Sequence, residues 1–547
     1  MPGTSPSCNA SGAFQYIFGL FARVRSAKLA GFACFGALLT AGLFPYQSEA
    51  ADLTWGGNYR VEGFGLKNPE LGTDQTTQGG QSQTGYALHH LTLLPKLVAG
   101  DGLTIYSRLD ILNNQNSKAG IDSSGRVYSV AGDLLGSGPG TAPAAGTGNS
   151  TSTTSSDSNA LSNTEMAGTV AITELYAAWS QEFGQLLVGR MPMDFGLGVA
   201  FSSGSGLFDH YVDTKDAIAY KLIFGNISVM PIVGKVKSGA VGQQDDIWDY
   251  MAIAKYENPE SELKLGGFYQ LRSGTFGAND YPLNSSIGGG DIGTNGTLLN
   301  GATPPASSVT RADGFKTTLI GAFVSEKVGD LRVSVEANLF SGDSGLKDAQ
   351  LNGVSINAYG IAAEVNYANP DSKLNSVLKL GMASGDDPGT TNVYEGYQFN
   401  RNYDVALLLF NHPLGQQDFL RSGMVHDNSI PVRNQLDTEA ISNAMYIAPG
   451  FQYHVKDSFS WGGTFVYAML NKDPVLTGTA PNQKSAGTSM DLGEELDLNM
   501  TWKPMERLTW ITTIGGLLPG QAWLAGGLPG YTNSFAYGIE TKAAISF

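Results

Sequence analysis

The C-terminal stretch Phe535-Ala536-Tyr537-Gly538-Ile539-Glu540-Thr541-Lys542-Ala543-Ala544-Ile545-Ser546-Phe547 decides the fold. Side chains of an extended strand point alternately to opposite sides. Phe535, Tyr537, Ile539, Thr541, Ala543, Ile545 and Phe547 therefore share one face, and Ala536, Gly538, Glu540, Lys542, Ala544 and Ser546 share the other. A mainly apolar face backs a mainly polar one, so the strand separates two different solvents. The same alternation recurs upstream. Leu331, Val333, Val335, Ala337 and Leu339 alternate with Arg332, Ser334, Glu336 and Asn338, and Leu496, Leu498, Met500 and Trp502 with Glu495, Asp497, Asn499 and Thr501. Soluble sandwiches also alternate, but their strands run to about 5 or 6 residues. Here the runs reach about 9 to 13, the length at which a tilted strand crosses a bilayer.

The connections carry a second signal. Tight polar turns recur at Gly100-Asp101-Gly102, Phe183-Gly184-Gln185, Gly225-Asn226, Asn258-Pro259-Glu260, Gly329-Asp330, Asn369-Pro370-Asp371, Lys456-Asp457 and Lys503-Pro504-Met505-Glu506. Longer segments separate the hairpins that these turns close, notably 114–168, 273–312 and 384–443. The pattern predicts an all-β chain: a transmembrane antiparallel β-barrel of about 18 strands, with short periplasmic turns and long extracellular loops. Hydrocarbon offers no partner to backbone N–H and C=O groups, so such strands must close on themselves. A ring this wide leaves an aqueous lumen unless loops plug it. Trp55, Tyr220, Phe224, Trp248, Tyr250, Tyr256, Tyr367, Phe459, Trp461, Trp502 and Trp510 lie near strand ends or on outward positions, and amphipathic rings favour the headgroup zone.

Composition agrees. Of 547 residues, 15% are charged and 71 are glycine, against about 25% charged and ~7% glycine in an average soluble protein. No apolar run after the leader is long enough for a helical span, which needs ~20 residues. The net charge of −16 disfavours nucleic acid as a partner. Residues 1–50 read as a cleaved export signal: Arg23, Arg25 and Lys28, an apolar run from Leu29 to Phe44, then Ser48-Glu49-Ala50 before the cleavage point. Residues 51–547 form the single barrel domain. Both cysteines, Cys8 and Cys34, fall in the leader, which leaves the mature chain without disulfides, thiolate metal sites or cysteine nucleophiles.

The strand register assigns the lumen. Arg60, Glu62, Arg108, Asp110, Glu174, Arg332, Glu336, Glu364, Lys379, Glu495, Asp497, Lys503 and Lys542 are expected to line the pore. Charges of both signs facing the water would set up a transverse field that favours polar solutes. Within 384–443, Tyr397, Arg401, Tyr403 and Asp404 precede the apolar run Val405-Ala406-Leu407-Leu408-Leu409-Phe410. Such a run would not stay in water. It is expected either to enter the barrel mouth as a constriction or to pack on another loop. The stretch 132–162, rich in Gly, Ser, Thr, Ala and Pro, is expected to be an external loop without chemistry.

A strand that runs to a terminal Phe547 resembles the terminal signature of Gram-negative outer-membrane barrels, and the resemblance implies that the barrel-assembly machinery reads it. Gly189-Arg190-Met191-Pro192-Met193-Asp194-Phe195-Gly196-Leu197-Gly198 and Ala383-Ser384-Gly385-Asp386 together resemble porin-like and alginate-export-type outer-membrane families. The glycines of the first stretch allow a sharp inward turn at the strand exit, and the resemblance makes Arg190 a candidate pore residue. It also implies an outer-membrane location with lipid and lipopolysaccharide around the wall. An alginate exporter's lumen is densely basic, whereas this one is mixed in sign.

Enzyme chemistry finds little footing. His89 and His90 are adjacent on a strand and face opposite sides. No nucleophile–His–acid set, phosphate loop or His-Glu-x-x-His motif is present. No catalytic residue, metal or cofactor is expected. The expected function is passive diffusion of small hydrophilic solutes through a water-filled channel. The alternatives are a substrate-specific sugar or polysaccharide channel, and a plugged barrel that serves as a structural or adhesive surface protein.

Overall fold

The computed structural model describes residues 51–69, 71–72, 83–111, 170–237, 247–274, 315–347, 353–385, 387, 392–412, 414–415, 440–473, 489–527 and 532–547. The leader, all of 114–168 with the 132–162 stretch inside it, and nearly all of 273–312 lie outside the described residues.

Eighteen antiparallel strands form one closed ring. In chain order they are β1 (Gly57–Lys67), β2 (Gln83–Leu93), β3 (Leu103–Ile111), β4 (Val170–Gln181), β5 (Gly184–Pro192), β6 (Thr214–Phe224), β7 (Ile227–Lys237), β8 (Ile247–Asn258), β9 (Leu263–Gly274), β10 (Phe315–Val328), β11 (Leu331–Lys347), β12 (Gly353–Ala368), β13 (Leu374–Ala383), β14 (Ala444–Lys456), β15 (Phe459–Leu470), β16 (Asp491–Met505), β17 (Leu508–Pro519) and β18 (Ala536–Ser546). Two short extensions, Asp52–Thr54 and Lys96–Val98, pair with each other beside β1 and β2. Each barrel strand pairs with its chain neighbours. β18 then pairs with β1, from Asn58↔Ser546 to Lys67↔Tyr537. Reciprocal hydrogen bonds of 3.0 Å between Gly57 and Phe547 seal the seam at the final residue.

All eight tight turns expected from the sequence join consecutive strands at one end of the ring. The alternation explains why the sheet closes here. Val61, Leu339, Ile361, Leu496, Leu498 and Ile539 are exposed on the outer face, where lipid takes the place of a protein core. Aromatic residues mark the turn end of that face. Phe451 and Trp461 meet edge-to-face at 5.3 Å, and Trp502 lies 6.4 Å from Trp510 across the next hairpin. Trp55, Phe224 and Tyr367 are likewise exposed there. The chain is thus an outer-membrane β-barrel, with its turn end on the periplasmic side.

The packed interior is built from what enters the ring. Phe195, Val199, Phe201, Tyr397, Phe399 and Val405–Phe410 are all buried and form one cluster with inward wall residues such as Phe268, Leu319 and Phe340.

Candidate functional site: a constriction made by two inward segments

The first inward segment is residues 193–213, between β5 and β6. It starts at the wall of β9 to β11. The Phe195 ring meets Phe268 edge-on at 4.6 Å. Leu197 and Val199 donate their backbone N–H groups to Glu336 Oε2 at 2.7 and 3.2 Å, and Ala200 donates to Oε1 at 3.0 Å. Gly196 and Gly198 have φ of 59° and 82°, a left-handed backbone that turns successive N–H groups toward one anion. The segment ends on the far wall. Arg108 donates to the Gly204 carbonyl at 2.7 Å, Arg60 donates to the Asp209 carbonyl, and His210 Nε2 lies 2.7 Å from Glu62 Oε2. Because β11 and β1 stand nearly opposite each other in the ring, the segment crosses the lumen.

The second segment, 397–415, enters between β13 and β14. Tyr403 donates its hydroxyl to Glu364 at 3.1 Å and receives one from Tyr446 at 3.3 Å. Burial, then Tyr446 and Glu364, pushes the Tyr403 phenol well up, so it stays a donor. Burial likewise raises Tyr397. The apolar run then lies along β16 to β18. Leu407 donates to Asp497 at 2.9 Å, and Leu408 and Leu409 donate to the two oxygens of Glu495 at 2.6 and 2.8 Å. Wall glycines make room: Leu407 rests over Gly515, Leu408 over Gly538, and Tyr397 over Gly360, where a Cβ would collide with the ring.

The two segments are tied together. Asn400 donates to Asp213 at 2.7 Å. Asn402 donates to Ser202 Oγ at 3.0 Å and to the Tyr211 carbonyl at 2.8 Å, while its own oxygen accepts from Tyr211 N at 3.0 Å. The Arg401 guanidinium stacks 5.4 Å above the Tyr211 ring.

Two lysines face the space beside this bridge. Lys542 forms an ion pair with Glu540 at 2.9 Å and sits 5.3 Å over the Phe208 ring. Lys379 lies 3.4 Å from Glu364, 5.2 Å over Tyr403, and donates to the Asp404 carbonyl at 3.0 Å. Asp404 is exposed between them. Each lysine thus carries an aromatic face and a carboxylate.

The structure places the residues expected at the pore in several settings. Arg60, Glu62, Arg108, Asp110, Glu336, Glu495 and Asp497 are buried beneath the segments and anchor them. Asp110 accepts from Arg108, Thr92 and Thr173 and meets His90 at 2.8 Å, and Glu174 lies 3.9 Å from Arg108. Glu364, Lys379 and Lys542 are half-buried on the inward side of the wall. Arg332 pairs with Glu262 near the periplasmic end, and Lys503 is exposed at the periplasmic rim. Of the loop residues, Tyr397, Arg401 and Tyr403 are buried packing groups, and Asp404 alone is exposed.

Arg190 requires correction, because it does not face the pore. It shares its side of β5 with Val188, which is exposed on the outer wall, and Gly189 and the buried Met191 take the inward side. The inward turn comes after Pro192, beyond Arg190. Phe208, His210, Asp213, Asn400 and Asn402 were not legible as site residues. The available signal was Val199-Ala200-Phe201, an apolar cluster in a loop like that at 405–410.

No family model and no curated protein matches the chain. Solved structures similar to it include OpdK with vanillate from Pseudomonas aeruginosa, at 10% identity and TM-score 0.41, covering 90% of this chain and 98% of that one. OccK2 (OpdF) of the same organism, in complex with glucuronate, is 8% identical with TM-score 0.42, at 90% and 98% coverage. OmpT of Vibrio cholerae is 9% identical with TM-score 0.35, at 92% and 99% coverage. The class of this protein, an outer-membrane channel-type barrel of a Gram-negative bacterium, follows from its own strands and lumen.

Proposed function

We propose that this protein is a substrate-selective channel for small hydrophilic solutes of sugar size. One observation carries the reading: segment 193–213 crosses the lumen from Glu336 to Glu62 and is bonded there to segment 397–415. A ring of 18 strands without such a bridge would pass solutes with little discrimination. A bridged ring forces them past Lys379, Asp404 and Lys542. Opposed charges and flanking aromatic faces suit hydroxylated solutes, and the mixed sign gives no support to bulk polyanion export of the alginate type. Unselective diffusion is the weaker reading, because the buried carboxylate anchors leave the bridge little freedom to move. Insertion through the C-terminal strand by the assembly machinery, into a membrane of phospholipid and lipopolysaccharide, belongs to the same proposal.

The test is solute flux into liposomes that contain the refolded protein, using neutral sugars, sugar acids and zwitterions of matched size. Selective channels admit one class several times faster than the others. Equal rates that fall only with solute size would return the protein to the diffusion class.

A further inference from the structure

A cavity of about 440 Å³ lies at the periplasmic end of the ring, between the turn that joins β12 to β13 and the turn that joins β14 to β15. That size falls in the range of sites for small molecules. The first turn supplies Ser372 and Lys373 to its lining, and the second supplies Lys456 and Asp457. Asn375 and His454 stand between them. Side chains alternate along a strand, so Asn375 shares the inward side of β13 with Lys379, and His454 shares that of β14 with Tyr446 and Ala448. The cavity therefore borders the periplasmic lip of the lumen, at the level of the turns.

Its walls are held in place by the fold. Asn369 donates its amide to Asp330 of the neighbouring turn at 2.6 Å, and its oxygen accepts from Asp371 N at 2.8 Å. Ser372 Oγ accepts from Leu374 N at 3.0 Å. The Lys373 carbonyl accepts from His454 N at 2.7 Å, which ties the two turns together. Asn375 Nδ2 lies 3.1 Å from His454 Nε2. An amide nitrogen only donates, so Nε2 accepts and the ring proton is held on Nδ1. The charges, by contrast, are uncommitted. Lys373, Lys456 and Asp457 have no ion pair among the described residues, whereas Lys327 and Arg332 at the same end of the ring both pair with Glu262. We propose that this cavity is a binding site for a small acidic amino acid, with its two carboxylates on Lys373 and Lys456 and its ammonium on Asp457.

The charge pattern selects the ligand. Two cations and one anion around one small space complement a solute that carries both signs and a net charge of the opposite sense. A monocarboxylate amino acid would leave one lysine unmatched. A dicarboxylate without an amine would leave Asp457 facing it with nothing to bind. The His454 Nδ1–H adds a neutral donor for a carboxylate oxygen. Exposed ion pairs are individually weak, so the site fills at high local concentration and releases readily, as suits the lip of a channel. Lys373, Lys456 and Asp457 make no bond to either inward segment. The inference is therefore independent of the selectivity proposed for the constriction.

The experiment is saturation-transfer NMR on the full-length refolded protein in detergent, with L-glutamate, glutarate or glycine added in turn. L-glutamate should give a saturable signal, and glutarate and glycine should bind roughly fivefold more weakly or worse. Lys456→Gln, still heat-modifiable on a gel, should weaken glutamate binding by roughly fivefold or more. Asp457→Asn should erase the preference for glutamate over glutarate. The absence of a saturable glutamate signal from the folded wild-type protein would overturn the proposal. Equal binding of glutarate and glutamate would do the same, as would undiminished glutamate binding by Lys456→Gln, which would place the amino acid elsewhere in the lumen. None of these failures touches the reading of the constriction, which is tested by the flux of neutral sugars.

Discussion

At the scale of single residues, the constriction depends on carboxylates that hold backbone rather than cations. Glu495 and Asp497 accept the N–H groups of Leu407, Leu408 and Leu409. Each such hydrogen bond contributes about 0.5–1.5 kcal/mol net. Glu495→Gln with Asp497→Asn should therefore loosen the second segment by a few such increments and raise conductance, with the barrel still heat-modifiable on a gel. Unchanged conductance in that variant would show that the run is held by packing alone. Asp404 tests the lining itself. A unit charge roughly 7 Å from a permeating ion in a wet lumen is worth about 0.6 kcal/mol, or a factor of about 3. Asp404→Asn should shift the reversal potential in a salt gradient toward anions by about that ratio. Tyr403 sets a pH limit. Its phenol is pushed up in the folded protein, so stability is retained below the unfolded value of about 10 and lost as pH rises above it. Conductance should be level from pH 7 to 10 and rise beyond, and Tyr403→Phe should abolish that rise.

At the scale of elements, the strands were legible in the sequence and the inward segments only in part. Period-two alternation is enforced wherever a strand parts lipid from water, so β11, β16 and β18 could be read position by position. The tight turns followed from Gly, Asn, Asp and Pro at each hairpin. The segments obey no period. Val405–Phe410 could be recognised as unable to stay in water, but its anchors lie on β16, nearly ninety positions away in the chain, and local pattern carries no information about such a pairing. Arg190 was misplaced because glycine near a strand end announces a turn without fixing which residue begins it. The glycine sockets show the same dependence on contacts distant in the chain. Gly360→Val would drive a side chain into Tyr397. Overpacking of this kind costs about 1–3 kcal/mol, and the expected outcome is a noisier, larger-conductance channel with an intact barrel.

At the scale of the whole molecule, closure and occlusion are separate achievements. Closure needs only the ring of strands, sealed where Gly57 and Phe547 exchange hydrogen bonds. Deleting residues 535–547 would leave β1 and β17 with open edges in hydrocarbon, which is not tolerated. The truncated chain should yield no heat-modifiable band. Occlusion needs the bridge, and the proposed selectivity depends on it. The most direct measurement is single-channel conductance in a planar bilayer, comparing the wild-type chain with one in which residues 195–211 are replaced by a short Gly-Ser linker. The account predicts a small wild-type conductance that is blocked by one class of polar solute, and a several-fold larger, unselective conductance from the linker variant. Equal conductances, with no solute block in either, would contradict it.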